Sequence, residues 1–296
     1  MSTPAALAQV PQTSPLPEGI EVMIRQAATR DGTALDTVES LALDAYPDHA
    51  EAIGALTRDL RDQRKKAERD AKRAAGSSVI AGWSGDGELG ASLSSGNTDD
   101  RSLAIRLNLV KETLRWRHEI TSSADLQRAS GETSKERYTA GYKPNYFINP
   151  RLYAAGEFTW ERDLFAGYRH RLTETVGIGY LILDSDGKRL SVEGGPGARH
   201  SFQVRAPGVS AVEHEFVFGA NANYTQEFNE NIKFAQTIKT LTGDQNQTLE
   251  SSSSLTARIN SLFSARIGFT LRHETEPPDD RKQTDTLSRA TLVYTF

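Results

Sequence analysis

Few residues in this sequence have both the type and the spacing that catalysis needs. His118 and Ser122 could be a base and its nucleophile, and both have outward parity on one strand. Four residues of extended chain place them about 13 Å apart, too far for an imidazole to take a hydroxyl proton. Only a partner from a neighbouring strand would rescue the pair. Glu157 and Glu161 share one face of a strand and can be read as an acid/base couple or as partners for interior arginines; the second reading is preferred. Gly194, Gly195 and Gly197 lie within a strand and not between a strand and a helix, so they make no phosphate loop and are expected to relieve crowding at a bulge. The six histidines scatter without metal-ligand spacing, and His170, His200, His214 and His273 fall at or near expected loops. No catalytic residue, metal or cofactor is expected, and the chain does not read as an enzyme.

The elements that hold these residues have two different periods. From Pro17 to Ala75 apolar residues recur at helical spacing: Ile20, Met23, Ile24, Ala27 and Ala28, then Leu35, Val38, Leu41, Ala42 and Ala45, then Ile53, Leu56 and Leu60. Pro47 and Asp48 separate the second and third stripes. The third helix fades into RDQRKKAERDAKRAA, whose opposite charges at i, i+3 and i+4 suit a solvated spacer. Ala6-Leu7-Ala8 before Gln9 can be read as the cleavage end of a secretory signal or as ordinary sequence, so residues 1–16 are taken as a signal remnant and linker, 17–78 as a helical periplasmic extension and 82–296 as the main domain.

After Gly82 the period is 2. Leu103, Ile105, Leu107 and Leu109 share one face, as do Trp116, His118, Ile120, Ala124 and Leu126, or Phe263, Ala265, Ile267, Phe269 and Leu271. About twelve such segments follow one another, the last ending Ala290, Leu292, Tyr294, Phe296. At 37% hydrophobic and 25% charged residues the chain is too polar for spanning helices. A barrel that shows only alternate residues to lipid has this composition. The net charge of −4 gives no reason to expect nucleic acid as a partner, and the absence of cysteine removes disulfide frameworks and thiolate metal sites.

A soluble sandwich also alternates, so strand length and loop sorting must decide. Several segments keep phase for nine to eleven residues, enough to cross a bilayer at a tilt. Links such as Asn149 to Arg151 and Phe228 to Asn231 alternate with bulkier polar ones such as QRASGETSKER, DLFAGYRH and HSFQVRAPGVSAVE, the pattern of a barrel with periplasmic turns and external loops. Trp83, Trp116, Tyr146, Tyr180, Tyr224 and Phe263 would sit near one interface, Tyr138 and Trp160 near the other. Pro144 and Pro196 fall inside strands and are expected at bulges, and Glu174 takes a lipid-facing position that suggests the external rim or a register slip. The fold expected is all-β: a transmembrane antiparallel barrel of about twelve strands with a short α-helical N-terminal extension.

Leu89-Gly90-Ala91-Ser92, Ser95-Gly96-Asn97-Thr98, Trp160-Glu161-Arg162-Asp163 and Glu193-Gly194-Gly195-Pro196-Gly197 resemble the YdiY-like family of salt-induced outer-membrane proteins, a domain of unknown function. The resemblance covers about residues 82 to 296. It implies a barrel in the bacterial outer membrane and brings no ligand or reaction with it.

Inward parity collects a charged lumen. Arg106, Arg117, Lys143, Arg258, Arg266 and Arg289 stand there with Glu119, Glu157, Glu161 and Glu193, and bases exceed acids slightly. The expected function is a small passive pore with weak anion preference; the alternative is a structural or stress-related barrel with a closed lumen, and a lipid-modifying enzyme is the most distant reading. Tyr294 and Phe296 suggest an assembly signal, so the partners expected are outer-membrane lipid, the barrel-assembly machinery through the last strand, and a periplasmic partner for the helices.

Overall fold

The computed structural model describes residues 16–30, 32–94, 100–129, 132–165, 168–185, 187–204, 210–244, 246–276 and 283–296, in two compact units divided between Arg73 and Ala74. The Ala6-Leu7-Ala8 segment and the Ser95–Thr98 motif lie outside the described residues.

Helices α1 (Glu18–Arg30), α2 (Gly32–Ala45) and α3 (Ala50–Gly76), with a 3₁₀ turn at Pro47–His49, form the first unit. The helical stripes close on a small aliphatic core of Ile20, Ile24, Ala27, Leu35, Ala42 and Ile53. One polar group is buried with it: Thr57 Oγ1 donates to Glu39 Oε1 at 2.6 Å, and Arg61 pairs with Glu39 and, at 2.6 Å, with Asp36. Burial works against ionisation of Glu39, but the hydrogen bonds from Thr57 and Arg61 outweigh it and hold the carboxyl below its ordinary value.

The second unit is a closed, wholly antiparallel meander: β1 (Trp83–Ser94), β2 (Asp100–Glu112), β3 (Trp116–Ala129), β4 (Glu132–Phe147), β5 (Leu152–Asp163), β6 (Tyr168–Ser185), β7 (Lys188–Val204), β8 (Ser210–Asn229), β9 (Ile232–Gly243), β10 (Gln247–Arg258), β11 (Phe263–Glu274) and β12 (Thr284–Thr295). Each strand pairs with the next, and β12 returns to β1. The even strand number puts Trp83 and Phe296 at one end, here the terminal rim; the other is the loop rim. Asn149, Asn229 and Asn260 shape three terminal-rim turns by accepting backbone N–H bonds of 2.8–2.9 Å from the residues two and three ahead.

The alternating apolar faces point outward. Ile178, Phe216 and Ile267 are 66–67% exposed, as are many aliphatic neighbours to lesser degrees, and a band of this size needs hydrocarbon around it. Aromatic rings gather at the terminal rim: Trp116 against Tyr146 at 5.0 Å, Phe263 against Tyr294 at 5.5 Å, and Tyr294 against Phe296 at 6.0 Å. His118 belongs to this girdle, bonded to the Tyr142 hydroxyl at 2.9 Å and stacked on Trp116. The barrel is thus a transmembrane one.

Several expectations are corrected. Strands run for 12 to 20 residues, because the ladder continues past the bilayer where neither face need be apolar. Much of the supposed loop sequence is therefore strand: β3 and β4 are separated only by residues 130 and 131, and Tyr168 to His170 begin β6. The loop sorting between rims is correspondingly slight. His170, His200, His214 and His273 all lie in strands. Neither Pro144 nor Pro196 marks a bulge. The β3–β4 register runs through Pro144; the β4–β5 ladder omits Lys143 and Pro144 but resumes in the same register, and the Pro144 ring sits 3.2 Å from where a Cβ on Gly156 would be, so a glycine opposite accommodates the imino acid. At Pro196 the β7–β8 register is continuous, while the β6–β7 ladder omits Gly195 and Pro196 and resumes in the same register; Gly177 and Gly195 let β6 and β7 approach so closely that a Cβ on either would collide with backbone oxygen. Glu174 keeps its outward register and faces His200 Nε2 at 3.7 Å.

Candidate functional site

The interior holds most of the barrel's ion pairs among the described residues, and its inward registers fix which charges meet. Arg137 Nη2 donates to Glu161 Oε1 at 2.6 Å from the adjacent strand, and Arg171 approaches the same carboxylate at 3.9 Å. Arg272 also reaches Glu161, at 4.0 Å, although β11 and β5 stand six strands apart around the barrel. Twelve strands in a circle would give a backbone diameter of roughly 24 Å, whereas extended arginine and glutamate side chains together span only about 12 Å. The cross-section is therefore drawn into an oval at this level, and the Glu161 cluster bridges it.

Other pairs also jump strands. Lys239 on β9 binds Glu157 on β5, Lys143 on β4 binds Glu193 on β7 at 2.6 Å, Arg289 on β12 binds Asp125 on β3 at 2.6 Å, and Arg266 on β11 binds Glu88 on β1. Glu193 accepts a second bond, from the Tyr153 hydroxyl at 2.7 Å. Around this lattice are two spaces of about 320 and 340 Å³, meeting at Arg137, Thr139 and Glu250.

All ten lumen residues expected from the sequence have inward register, but they do not form one site. Glu157, Glu161 and Glu193 line the first space; Arg106, Arg266 and Arg289 line the second. Arg117 pairs with Glu112 at 2.7 Å near the terminal rim, Glu119 is the register partner of Lys143, and Arg258 is an exposed residue ending β10. Sequence reasoning missed Glu215 and Glu274, which approach Arg199 at 3.6 Å and Arg272 at 2.6 Å. Continuing the alternation outward from Phe216 and Leu271 would have found both. With these and the rim acids Glu112 and Glu227 turned inward, the expected excess of bases over the whole interior shrinks; a local excess remains in the second space.

The fold and interior define a transmembrane β-barrel with an ion-paired lumen. The family model described as "Protein of unknown function, DUF481" matches residues 87–296, and the chain belongs to this family. It is 27% identical over 205 residues to "Uncharacterized protein YdiY" of Escherichia coli (strain K12), an alignment covering 68% of this chain and 79% of that one. Among solved structures it is similar to an outer membrane channel from Pseudomonas putida F1, with TM-score 0.47, 12% identity and coverage of 74% of this chain and 97% of the channel. It is also similar to the translocator domain of autotransporter NalP from Neisseria meningitidis, with TM-score 0.46, 14% identity and coverage of 82% and 97%.

Proposed function

We propose that the protein is a narrow outer-membrane pore that passes small ions with a slight preference for anions. The observation that carries this is the lining of the 340 Å³ space, where Arg106, Lys135, Arg137, Arg266 and Arg289 face Glu88, Asp125 and Glu250. A surplus of fixed positive charge in a water-filled constriction favours anions there. The ion-paired lattice excludes larger solutes. In this reading the terminal rim and helical unit are periplasmic, and Tyr294 and Phe296 present the last strand to the assembly machinery.

Planar-bilayer recording on refolded protein tests it. Small discrete steps with a reversal potential displaced toward the anion are expected, and Arg289→Gln should reduce that displacement. A second reading, a braced barrel with a closed lumen, is favoured by the Arg272–Glu161 pair across the barrel; electrical silence of a demonstrably folded protein would select it and sink the pore.

A further inference from the structure

One seam of the barrel is joined far less than the others. The β7–β8 register runs from Lys188–Gln226 to Val204–Ser210, and that of β2–β3 from Asp100–Ala129 to Glu112–Arg117. The β1–β12 register covers only Asp86–Thr295 to Leu89–Leu292, with Gly85 and Phe296 exchanging two further backbone hydrogen bonds of 3.1 Å. Both strands continue toward the loop rim and stay paired on their far sides, β1 with β2 to Ser94 and β12 with β11 back to Thr284. Among the described residues no ladder pair joins β1 to β12 beyond Leu89–Leu292. Two strand edges thus face one another in the bilayer, flanked by outward Leu89 and Leu292. Unpaired backbone groups in hydrocarbon cost several kcal/mol each, which is why membrane barrels close.

Side chains cross this seam from the inside. Thr291, the first β12 residue past the last ladder pair, donates from Oγ1 to Glu88 Oε2 at 3.2 Å. Over the unpaired part Arg289 Nη2 donates to Asp125 Oδ1 at 2.6 Å, passing β1 and β2 to reach β3. The Arg289 stem lies against Gly90, where a Cβ would meet its Cδ at 3.3 Å, and its Nη1 is buried without a hydrogen-bond partner. Behind it is the 340 Å³ space with its surplus of bases. On the outer face nearby, Arg101 and Arg128 are register partners in a lipid-side cleft with Leu103, Leu126, Glu136 and Tyr138.

We propose that the unpaired half of the β1–β12 seam is a lateral gate through which the phosphate-bearing head of an anionic membrane lipid enters the basic space while its acyl chains stay in the bilayer. Arg289–Asp125 is the latch: the phosphate takes the place of the Asp125 carboxylate and engages both Nη atoms of Arg289, the bidentate pairing guanidinium favours. The occupant is a lipid because the opening faces hydrocarbon, and anionic because the space behind it is basic. The proposal rests on the membrane-spanning fold and is independent of conduction.

The chain has no cysteine, so Ala91→Cys with Ala290→Cys, adjacent if the register continued, introduces one closable bridge across the gate. Wild-type and double-cysteine proteins are refolded into phosphatidylcholine vesicles containing a minor share of phosphatidylglycerol, extracted in mild detergent, and their retained lipid counted by native mass spectrometry. Wild-type and reduced proteins should enrich phosphatidylglycerol about tenfold over its share, equivalent to about 1.4 kcal/mol, and oxidation should abolish the enrichment. Arg289→Gln, which needs no bridge, should lose it as well, and Asp125→Asn should speed lipid exchange. Enrichment that survives oxidation or Arg289→Gln overturns the gate, as does its absence in wild type. Disulfide-linked dimers would instead assign the two edges to a second copy of the chain. A folded barrel that is electrically silent yet enriches phosphatidylglycerol would sink the pore and leave the gate standing.

Discussion

The helical unit and the barrel bury opposite things. Around Ile24 and Ile53, both fully buried, the helices hide aliphatic side chains and leave charges such as those of Lys65 and Lys66 in water. In the barrel Phe216 and Phe218 are outward and exposed, while Glu161 and Arg199 are buried at 9% and 4% exposure. The same hydrophobic effect drives the first unit but offers the second almost nothing once it is in lipid. What remains to hold the barrel is its backbone ladder and the electrostatic lattice within it.

The sharpest way to break this contrast is Glu161→Ala. It leaves Arg137, Arg171 and Arg272 facing one another without the carboxylate that joins them, and a loss of about 3–5 kcal/mol is expected on denaturant unfolding from vesicles. A loss below about 1 kcal/mol would mean that the lumen is wet enough to screen them, and that the lattice resembles surface ion pairs. In the other unit Ile53→Ala should cost about 2–5 kcal/mol, lowering the helical circular dichroism transition while the strand signal stays. If both transitions move together, the two units are one cooperative body. Ile178→Arg on the lipid face should cost about 2–4 kcal/mol; a neutral outcome would place that residue outside the hydrocarbon band.

The smallest effect concerns acid. Because the Glu39 carboxyl is held below its ordinary value, its contribution to helical stability is complete above the unfolded-state value near 4.3 and is lost as pH falls through the lower folded one. The helical melting temperature should therefore drop between about pH 4.5 and pH 3, and Glu39→Gln should lower it at neutral pH and flatten that dependence. An unchanged slope in the variant would assign the acid sensitivity to other carboxylates.

How much of this was legible in the sequence follows from the same contrast. The strands and their faces could be read because lipid imposes strict alternation wherever it touches the chain, as along Leu103, Ile105 and Leu107. Where lipid stops, the signal stops, so the polar rim stretches that hold Glu215 and Glu274 read as loop. Parity also gave the inward direction of Arg272 and Glu161 but not their meeting, since that depends on strand stagger and on how far the cross-section flattens. Pro144 was misplaced for a simpler reason: Gly156, the residue that makes it tolerable, lies on another strand at no fixed sequence distance.

The lattice also sets an order of events. Arg289 and Asp125 are 164 residues apart, Arg266 and Glu88 178, and no local segment can bring them together in advance. Their encounter waits on closure of the first strand against the last, the longest loop the barrel has to make. Until then these four side chains must keep their own water. The seam-crossing pairs are consequently the final part of the lattice to form during insertion, and an incompletely closed barrel would expose them to solvent rather than to each other.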